Sequence, residues 1–284
     1  VGAPYYNLTF VPIMMPLFIV MGIGPMLSWK RADLSGVFAR LKIAAIVAGG
    51  VMCGTILLYD GPVMAIVGIG LAAWLIMGAL TELCERIKLF RAPFTDSLRR
   101  LGGLPRSAIS MTIAHASMGV IVIGITASSA WQSERILVMA PGDTVAIAGY
   151  DVRLARVDKV QGPNYLSQRA ELVVTHKGKP VTVLTPEKRT FTTPPQTTTE
   201  AAIYTTFMAD LYGVLGDPVT PGAGSSGRGG AKFGWTVRLY HNPLVPWIWI
   251  GAVIMVLGGL VSLTDRRHRV GAPGRKHQSV PGPA

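Results

Sequence analysis

Charged residues are scarce in this chain of 284 residues, since only 15% are charged whereas 50% are hydrophobic. Soluble domains usually carry about 25% charged residues, so the shortage argues against an ordinary soluble globular protein. Acidic residues are the scarcer kind, with 15 against 27 basic ones. Cysteine is nearly absent as well. Neither Cys53 nor Cys84 falls in the polar part of the chain, which argues against a disulfide framework there.

The chain contains several long apolar runs that lack Lys, Arg and Asp. Runs of about 18 or more such residues predict membrane-spanning helices, because a helix satisfies its own backbone hydrogen bonds within lipid. The sequence predicts five spans, at about residues 10–29, 43–59, 62–83 and 108–130, with the fifth within 243–264. Gly50 and Gly54 in the second span form a small-residue ridge that permits close helix packing.

The basic residues are grouped along the chain. Fifteen of the 27 follow the first span, follow the third span or lie in the tail at 265–284: Lys30, Arg31, Arg40, Lys42, Arg86, Lys88, Arg91, Arg99, Arg100, Arg106, Arg266, Arg267, Arg269, Arg275 and Lys276. Asp60 is the only charge in the opposite short connection. By the positive-inside rule, this predicts an N-terminus outside the cytoplasm and a C-terminus inside it. The net charge of +12 therefore needs no nucleic-acid partner.

Residues 131–242 differ in character from the membrane region at 1–130. Short alternating segments, with a hairpin signal at His176–Pro180, predict an extracytoplasmic β-barrel or sandwich of about 100 residues. Residues 203–214 fit a strand or a short helix, and the Thr/Pro-rich residues 191–200 fit an edge or loop. Residues 218–232 predict a Gly/Ser-rich loop. The predicted fold is thus a polytopic α-helical membrane protein with an inserted small β domain.

His115 is the ionisable residue that lies well inside a predicted span. It follows Arg106 by nine residues, which places it about 13 Å along a helix that crosses about 30 Å of hydrocarbon. A neutral imidazole there offers one lone pair to a metal or a haem iron. The flanking Met111, Met118 and Gly119 are expected to leave room for a flat ligand. A proton or substrate relay in a transporter or channel, and simple hydrogen-bonded packing between helices, remain alternatives.

The other histidines fit less specific roles. His176 lies in the predicted hairpin turn and is expected to be solvated. His241 precedes the fifth span, where an interfacial polar residue is ordinary. His268 and His277 lie in the basic tail and are expected to face solvent or headgroups.

Five stretches, in order, resemble the C-terminal part of the CcmF family of cytochrome c-type biogenesis proteins and their nitrite-reductase-assembly relatives. They are VGAPYYNLTFVPIMMPLFIVMGIGPMLSWKRADL at the start, AHASMGVIVIG around His115, GPNYLSQRAELVV, YTTFMADLYGVLGD, and RLYHNPLVPWIWIGAVIMVLGGLVSLTDRR near the end. The resemblance implies a haem lyase subunit of the bacterial inner membrane, with residues 131–242 in the periplasm. The implied partners are a haem chaperone, thiol-handling maturation subunits and apocytochrome c.

The same resemblance assigns a role to His115. It matches one member of the family's transmembrane histidine pair, which holds a b-type haem through its two axial ligands. The second histidine of that pair, the family's tryptophan-rich segment and its extracytoplasmic haem ligands find no counterpart in this sequence. Because the chain also begins with Val1, we expect it to be part of a longer protein that supplies them.

Overall fold

The computed structural model of the chain describes residues 5–27, 34–59, 61–219 and 233–265. Several sequence predictions fall outside these residues, namely those for Lys30, Arg31, Asp60, most of the 218–232 loop, and the tail with His268 and His277. The described residues form two compact units, one from those within 5–58, 69–121 and 250–265 and one from those within 59–68 and 122–249. The first unit is helical, and the second is mainly β-structure.

Six α-helices are present in the described residues. They are α1 (Val11–Ile23), α2 (Leu34–Leu58), α3 (Val63–Ile87), α4 (Phe94–Gly102), α5 (Arg106–Ala130) and α6 (Val245–Leu263). A π-helical segment, Tyr6–Phe10, precedes α1, and a 3₁₀ turn, Gly24–Met26, follows it. Five stretches are long and apolar enough to cross a membrane, which confirms the five predicted spans. The first is Leu8–Met26, in which α1 is extended by the flanking π-helical and 3₁₀ residues, and the others are α2, α3, α5 and α6. The chain is therefore a multi-pass membrane protein.

Two helices extend beyond the apolar runs that predicted them. The second span was expected from residue 43, but α2 begins at Leu34 because Val37 and Leu41 are buried against Ile23 and Trp74. Arg40 consequently lies within this helix, with its Nε donating to the Gly36 carbonyl oxygen at 3.1 Å, rather than in a loop. Helix α3 likewise continues to Ile87 instead of ending near residue 83. A helix ends where capping and packing end it, not at the membrane boundary.

Close helix packing occurs at glycines other than the predicted ridge. A β-carbon built on Gly50 or Gly54 would meet no described atom within 4 Å, so the predicted close approach is not found there. At Gly78, by contrast, a β-carbon would lie 3.2 Å from the Gly22 Cα, which shows that α1 and α3 touch backbone to backbone. A glycine pair marks a possible contact, and only the facing helix decides whether it forms.

The second unit is a sandwich of antiparallel strands. They are β1 (Ser133–Met139), β2 (Thr144–Ile147), β3 (Tyr150–Gln161), β4 (Tyr165–His176), β5 (Lys179–Leu184), β6 (Glu187–Thr192), β7 (Pro195–Glu200), β8 (Ala202–Thr205), β9 (Ala209–Val219) and β10 (Gly234–Pro243). One sheet has the order β1-β10-β9-β8, and the other has the order β2-β3-β4-β6-β7, with β5 also pairing with β4. The core lies between them, where Leu154, Leu172, Leu215, Val237 and Leu239 are fully buried.

The predicted hairpin at His176–Pro180 is confirmed, and the undecided segments are resolved as strands. β4 and β5 are joined by Lys177 and Gly178, both with positive φ (51° and 75°), as a tight two-residue hairpin requires. Residues 203–214, which fitted strand or helix equally, belong to β8 and β9 and the turn between them. Residues 191–200 contribute to β6 and to β7, which lies at the edge of its sheet.

Candidate functional site

His115 lies near the middle of α5, a helix without internal proline that begins at Arg106 and ends at Ala130. The start of this helix is capped from the end of α6, because the Ser107 backbone N–H donates to the buried Asp265 carboxylate at 3.0 Å. The Arg106 guanidinium also donates to the Thr264 carbonyl oxygen at 3.1 Å. These bonds hold α5 and α6 together at one end and fix the depth of His115.

A backbone hydrogen bond fixes the form of the imidazole. His115 Nδ1 lies 2.8 Å from the carbonyl oxygen of Met111, one turn earlier. A carbonyl oxygen only accepts, so Nδ1 carries the hydrogen and donates it. In the neutral ring, Nε2 then keeps its lone pair and points away from the helix backbone. Metal-ligating histidines typically have this arrangement, in which one ring nitrogen donates to a carbonyl group and the other binds.

One flank of His115 is closed. A β-carbon at Gly119 would lie 2.5 Å from Ile76 Cγ1 and 2.9 Å from the Ala72 carbonyl oxygen, so α3 packs directly against this position. The expectation that Gly119 leaves room for a flat ligand is therefore wrong, because its missing side chain is replaced by Ile76. Thr112 donates to the Ala108 carbonyl oxygen at 3.2 Å and not to the imidazole.

Helix α6 covers the opposite face of α5. A β-carbon at Gly251 would lie 3.0 Å from the Ser117 carbonyl oxygen, and one at Gly258 would lie 3.1 Å from Ile113. At 100° per residue, Ser117 and Ile113 each lie about 160° around the helix from His115. The half-buried imidazole therefore faces away from α6, and its remaining flank is that of the half-buried Met111 and Met118.

Within the described residues, no three His, Cys, Asp or Glu side chains come together as a metal site. His115 is also the single histidine in the six helices. A single imidazole supplies one ligand to any metal that it binds.

A histidine and aromatic cluster in the β unit has no counterpart in the sequence analysis. The Tyr150 ring lies 5.2 Å from the His176 ring and 6.2 Å from the His241 ring, centroid to centroid. His176 Nδ1 lies 2.9 Å from the Gly149 carbonyl oxygen, so this residue is not simply solvated. Burial lowers the pKa of His241. Only strand register could have revealed the cluster, since Tyr150 pairs with His176 across β3 and β4.

The outward face of the β1-β10-β9-β8 sheet carries a shallow groove of about 400 Å³. Its lining residues are Gln132, Tyr212, Val214, Arg238, Tyr240 and Asn242. Gln132 donates to Asn242 Oδ1 at 2.8 Å, and the two tyrosine rings meet edge to face at 5.8 Å. A hydrogen bond to Glu134 raises the pKa of the Tyr240 hydroxyl. The groove is polar, with aromatic walls.

An ion-pair network around one buried carboxylate connects β4 with β6. Glu187 is 5% exposed and accepts hydrogen bonds from Arg169 Nε at 2.5 Å and Arg189 Nε at 2.9 Å. Burial alone would raise the pKa of Glu187, but the bonds from Arg189 and Arg169 outweigh it and hold that pKa below its usual range. The Arg189 guanidinium also lies over the Tyr165 ring, 4.8 Å from its centroid. The network stabilises the β unit and is not arranged around an open site.

Both the β unit and the chain as a whole are similar to known proteins. Residues 130–243 match the family model described as the CcmF C-terminal beta-sandwich. The chain is 46% identical over 275 residues to the cytochrome c-type biogenesis protein CycK of Bradyrhizobium diazoefficiens, covering 96% of this chain and 40% of that protein. Over nearly its whole length, the chain is similar to the C-terminal part of CcmF-family proteins.

Other CcmF-family proteins match over the same extent. The chain is 35% identical over 272 residues to the cytochrome c-type biogenesis protein CcmF of Escherichia coli K12, covering 95% of this chain and 38% of that protein. The solved structure of the cytochrome c haem lyase CcmF matches with a TM-score of 0.69 at 19% identity, over 93% of this chain and 41% of that one. This match shows a shared fold. The chain spans about 40% of the length of its curated CcmF-family relatives.

Proposed function

We propose that this CcmF-family chain is part of a haem lyase subunit for cytochrome c maturation, and that His115 is one axial ligand of a b-type haem between transmembrane helices. The observation that carries the proposal is the hydrogen bond from His115 Nδ1 to the Met111 carbonyl oxygen, which leaves Nε2 free to bind iron. The kinship with cytochrome c-type biogenesis proteins supports the choice of haem over another metal.

The packing around His115 favours one flank of α5 as the place where a haem would bind. The Gly119 flank is filled by Ile76, and the opposite face of α5 is covered by α6, so the flank of Met111 and Met118 is where a haem would lie. When bound there, haem supplies one-electron redox chemistry. The chain's own part is to hold one imidazole in a fixed tautomer within apolar surroundings, which tune the iron potential. We propose that the second ligand comes from outside the described helices of this chain, since His115 is their single histidine.

The β domain at residues 131–242 is proposed to lie in the periplasm of a bacterial inner-membrane protein, with the C-terminus in the cytoplasm. The grouping of basic residues supports this orientation. In that position the domain would meet apocytochrome c, the haem chaperone and the thiol-handling subunits. Its polar groove with Tyr212 and Tyr240 offers one surface for such a partner.

A relay role for His115 in a transporter or channel has less support. A relay needs a second titratable group or an ordered path, and the described contacts of His115 comprise one backbone carbonyl group.

The proposal is tested with the full-length protein carrying His115→Ala, with His176→Ala as the matched control. His176 also bonds a backbone carbonyl group, but it lies in the β unit. We expect the Soret absorbance and the low-spin two-ligand spectrum of purified protein to be lost or altered in His115→Ala and unchanged in His176→Ala. Normal haem content and spectrum in His115→Ala would refute the ligand assignment. Unchanged haem with reduced membrane stability would favour a packing role.

A further inference from the structure

The segment between α3 and α5 is held at one membrane surface by the helices on either side of it. α3 ends at Ile87 and α5 begins at Arg106, and both are long and apolar enough to cross a bilayer. From the sequence, the residues between the third and fourth predicted spans, 84–107, were expected to form a basic loop. Half of the segment between α3 and α5 is in fact the short helix α4, Phe94–Gly102, which lacks the length to cross a membrane.

Helix α4 has one apolar and one polar face. Phe94, Leu98 and Leu101, at spacings of four and three residues, share a face, whereas Asp96, Arg99 and Arg100 point elsewhere. The apolar face has little cover from the described chain, since Phe94 is 68% exposed and Leu98 52% exposed. Phe90, in the turn before the helix, is 92% exposed. A water-exposed cluster of two phenylalanines and a leucine is unfavourable.

The position of this apolar face is fixed by the chain leading to it. Lys88 and Phe90 adopt positive φ values of 54° and 66°, and the Ala92 N–H donates to the Lys88 carbonyl oxygen at 3.1 Å, which forms a tight turn directly after α3. Ser97 is 1% exposed and anchors the inner side of α4, with its hydroxyl 3.5 Å from the same carbonyl oxygen. The helix is therefore docked through Ser97, while Phe94 in the helix and Phe90 in the preceding turn remain exposed.

The segment is also strongly basic. Residues 88–106 contain five basic residues and Asp96 as the single acidic one, which gives a net charge of +4. Arg91 pairs with Glu85 at 3.0 Å, and Arg99 pairs with Asp96 at 3.3 Å. Lys88 and Arg100 are exposed and have no ion-pair partner in the described part of the chain. Clustered basic residues beside an amphipathic helix at a membrane surface are typical of anionic-lipid binding.

We propose that α4 is an interfacial helix that binds anionic phospholipid of the bilayer spanned by α3 and α5. Phe90, Phe94 and Leu98 enter the acyl-chain boundary, and Lys88, Arg99 and Arg100 contact the headgroups. Two observations point to this occupant: the connection to spanning helices on both sides, and the positive charge that an anionic headgroup complements. The helix thereby holds the ends of α3 and α5 at a fixed depth, and α5 carries His115.

Depth is tested in the full-length protein, freed of its other cysteines and placed in lipid nanodiscs. An environment-sensitive NBD label is attached at Phe94→Cys and, as the matched control, at Thr95→Cys, an exposed position on the polar side of the same turn. We expect the label at 94 to emit at shorter wavelength and to be quenched by bromine on lipid acyl chains at least about twice as strongly as the label at 95. Equal, water-like emission at both positions would overturn the proposal. A blue-shifted label at 94 that bromolipid does not quench would also overturn it, because protein would then cover the face.

Headgroup binding is tested with spin-labelled phosphatidylglycerol and phosphatidylcholine added to the same full-length protein. Each basic residue near an anionic surface contributes about a fivefold preference at low salt. The double variant Arg99→Gln/Arg100→Gln is expected to lose about fivefold or more of the preference for phosphatidylglycerol. The control Arg153→Gln, an exposed change on β3, should keep it. An unchanged preference in the double variant would contradict the assignment of these arginines to headgroups.

Discussion

Replacing Gly119 by alanine tests the packing that closes one flank of the proposed haem site. The new β-carbon would lie 2.5 Å from Ile76 Cγ1 and 2.9 Å from the Ala72 carbonyl oxygen. Overpacking costs about 1–3 kcal/mol, and the upper half of this range applies because a backbone oxygen cannot rotate away. Alanine returns about 1 kcal/mol of helix propensity. We therefore expect a net loss of about 1–2 kcal/mol in the free energy of unfolding.

The matched control is Gly50→Ala, since a β-carbon at Gly50 meets no described atom within 4 Å. Here the helix propensity acts alone, and we expect the protein to be unchanged or stabilised by up to about 1 kcal/mol. Both variants are measured by reversible unfolding in mixed detergent and SDS micelles, followed by circular dichroism. Equal unfolding free energies for the two variants would refute the close α3–α5 contact and the argument that the Gly119 flank is closed.

Two further predictions concern pH. The folded-state pKa of Glu187 is lowered, so its contribution to stability is present at neutral pH and is lost as the pH falls below about 4.3. The difference in unfolding free energy between wild type and Glu187→Gln should therefore narrow from pH 7 to pH 3.5. A constant difference would contradict this. The folded-state pKa of His241 is also lowered, so the folded protein binds fewer protons there than the unfolded one. The stability of the folded protein should therefore fall as the pH drops below about 6.5. In His241→Gln, the unfolding midpoint should change less between pH 7 and pH 5 than it does in the wild type, and an equal change in both proteins would contradict this.

Apolar run length predicted the number of membrane helices because the bilayer imposes a single dominant constraint on such runs. It did not predict where those helices end. Val37 and Leu41 extend α2 through burial against Ile23 and Trp74, contacts between residues far apart in sequence. For the same reason the Gly50–Gly54 ridge was a poor guide to packing, whereas Gly119 and Gly251 mark real helix contacts.

Some features of the candidate site could likewise be predicted from the sequence, and others could not. The cost of an ionisable group in hydrocarbon singled out His115, and this argument needs only its position in the sequence. The bond to the Met111 carbonyl oxygen and the closure by Ile76 depend on a rotamer and on a neighbouring helix, which sequence spacing does not specify. The grouping of Tyr150, His176 and His241 depends on strand pairing within one sheet and on the packing of that sheet against the other. No local sequence pattern could therefore predict it.

The most direct test of the central claim is chemical rescue of His115 in the full-length protein. His115→Gly removes the imidazole and leaves space that free imidazole can enter. We predict that the two-ligand haem spectrum disappears in this variant and returns in a saturable way when imidazole is added, while His176→Gly shows neither effect. A variant that keeps the wild-type haem spectrum without imidazole, or one that stays folded and does not recover it with imidazole, would contradict His115 as the axial ligand.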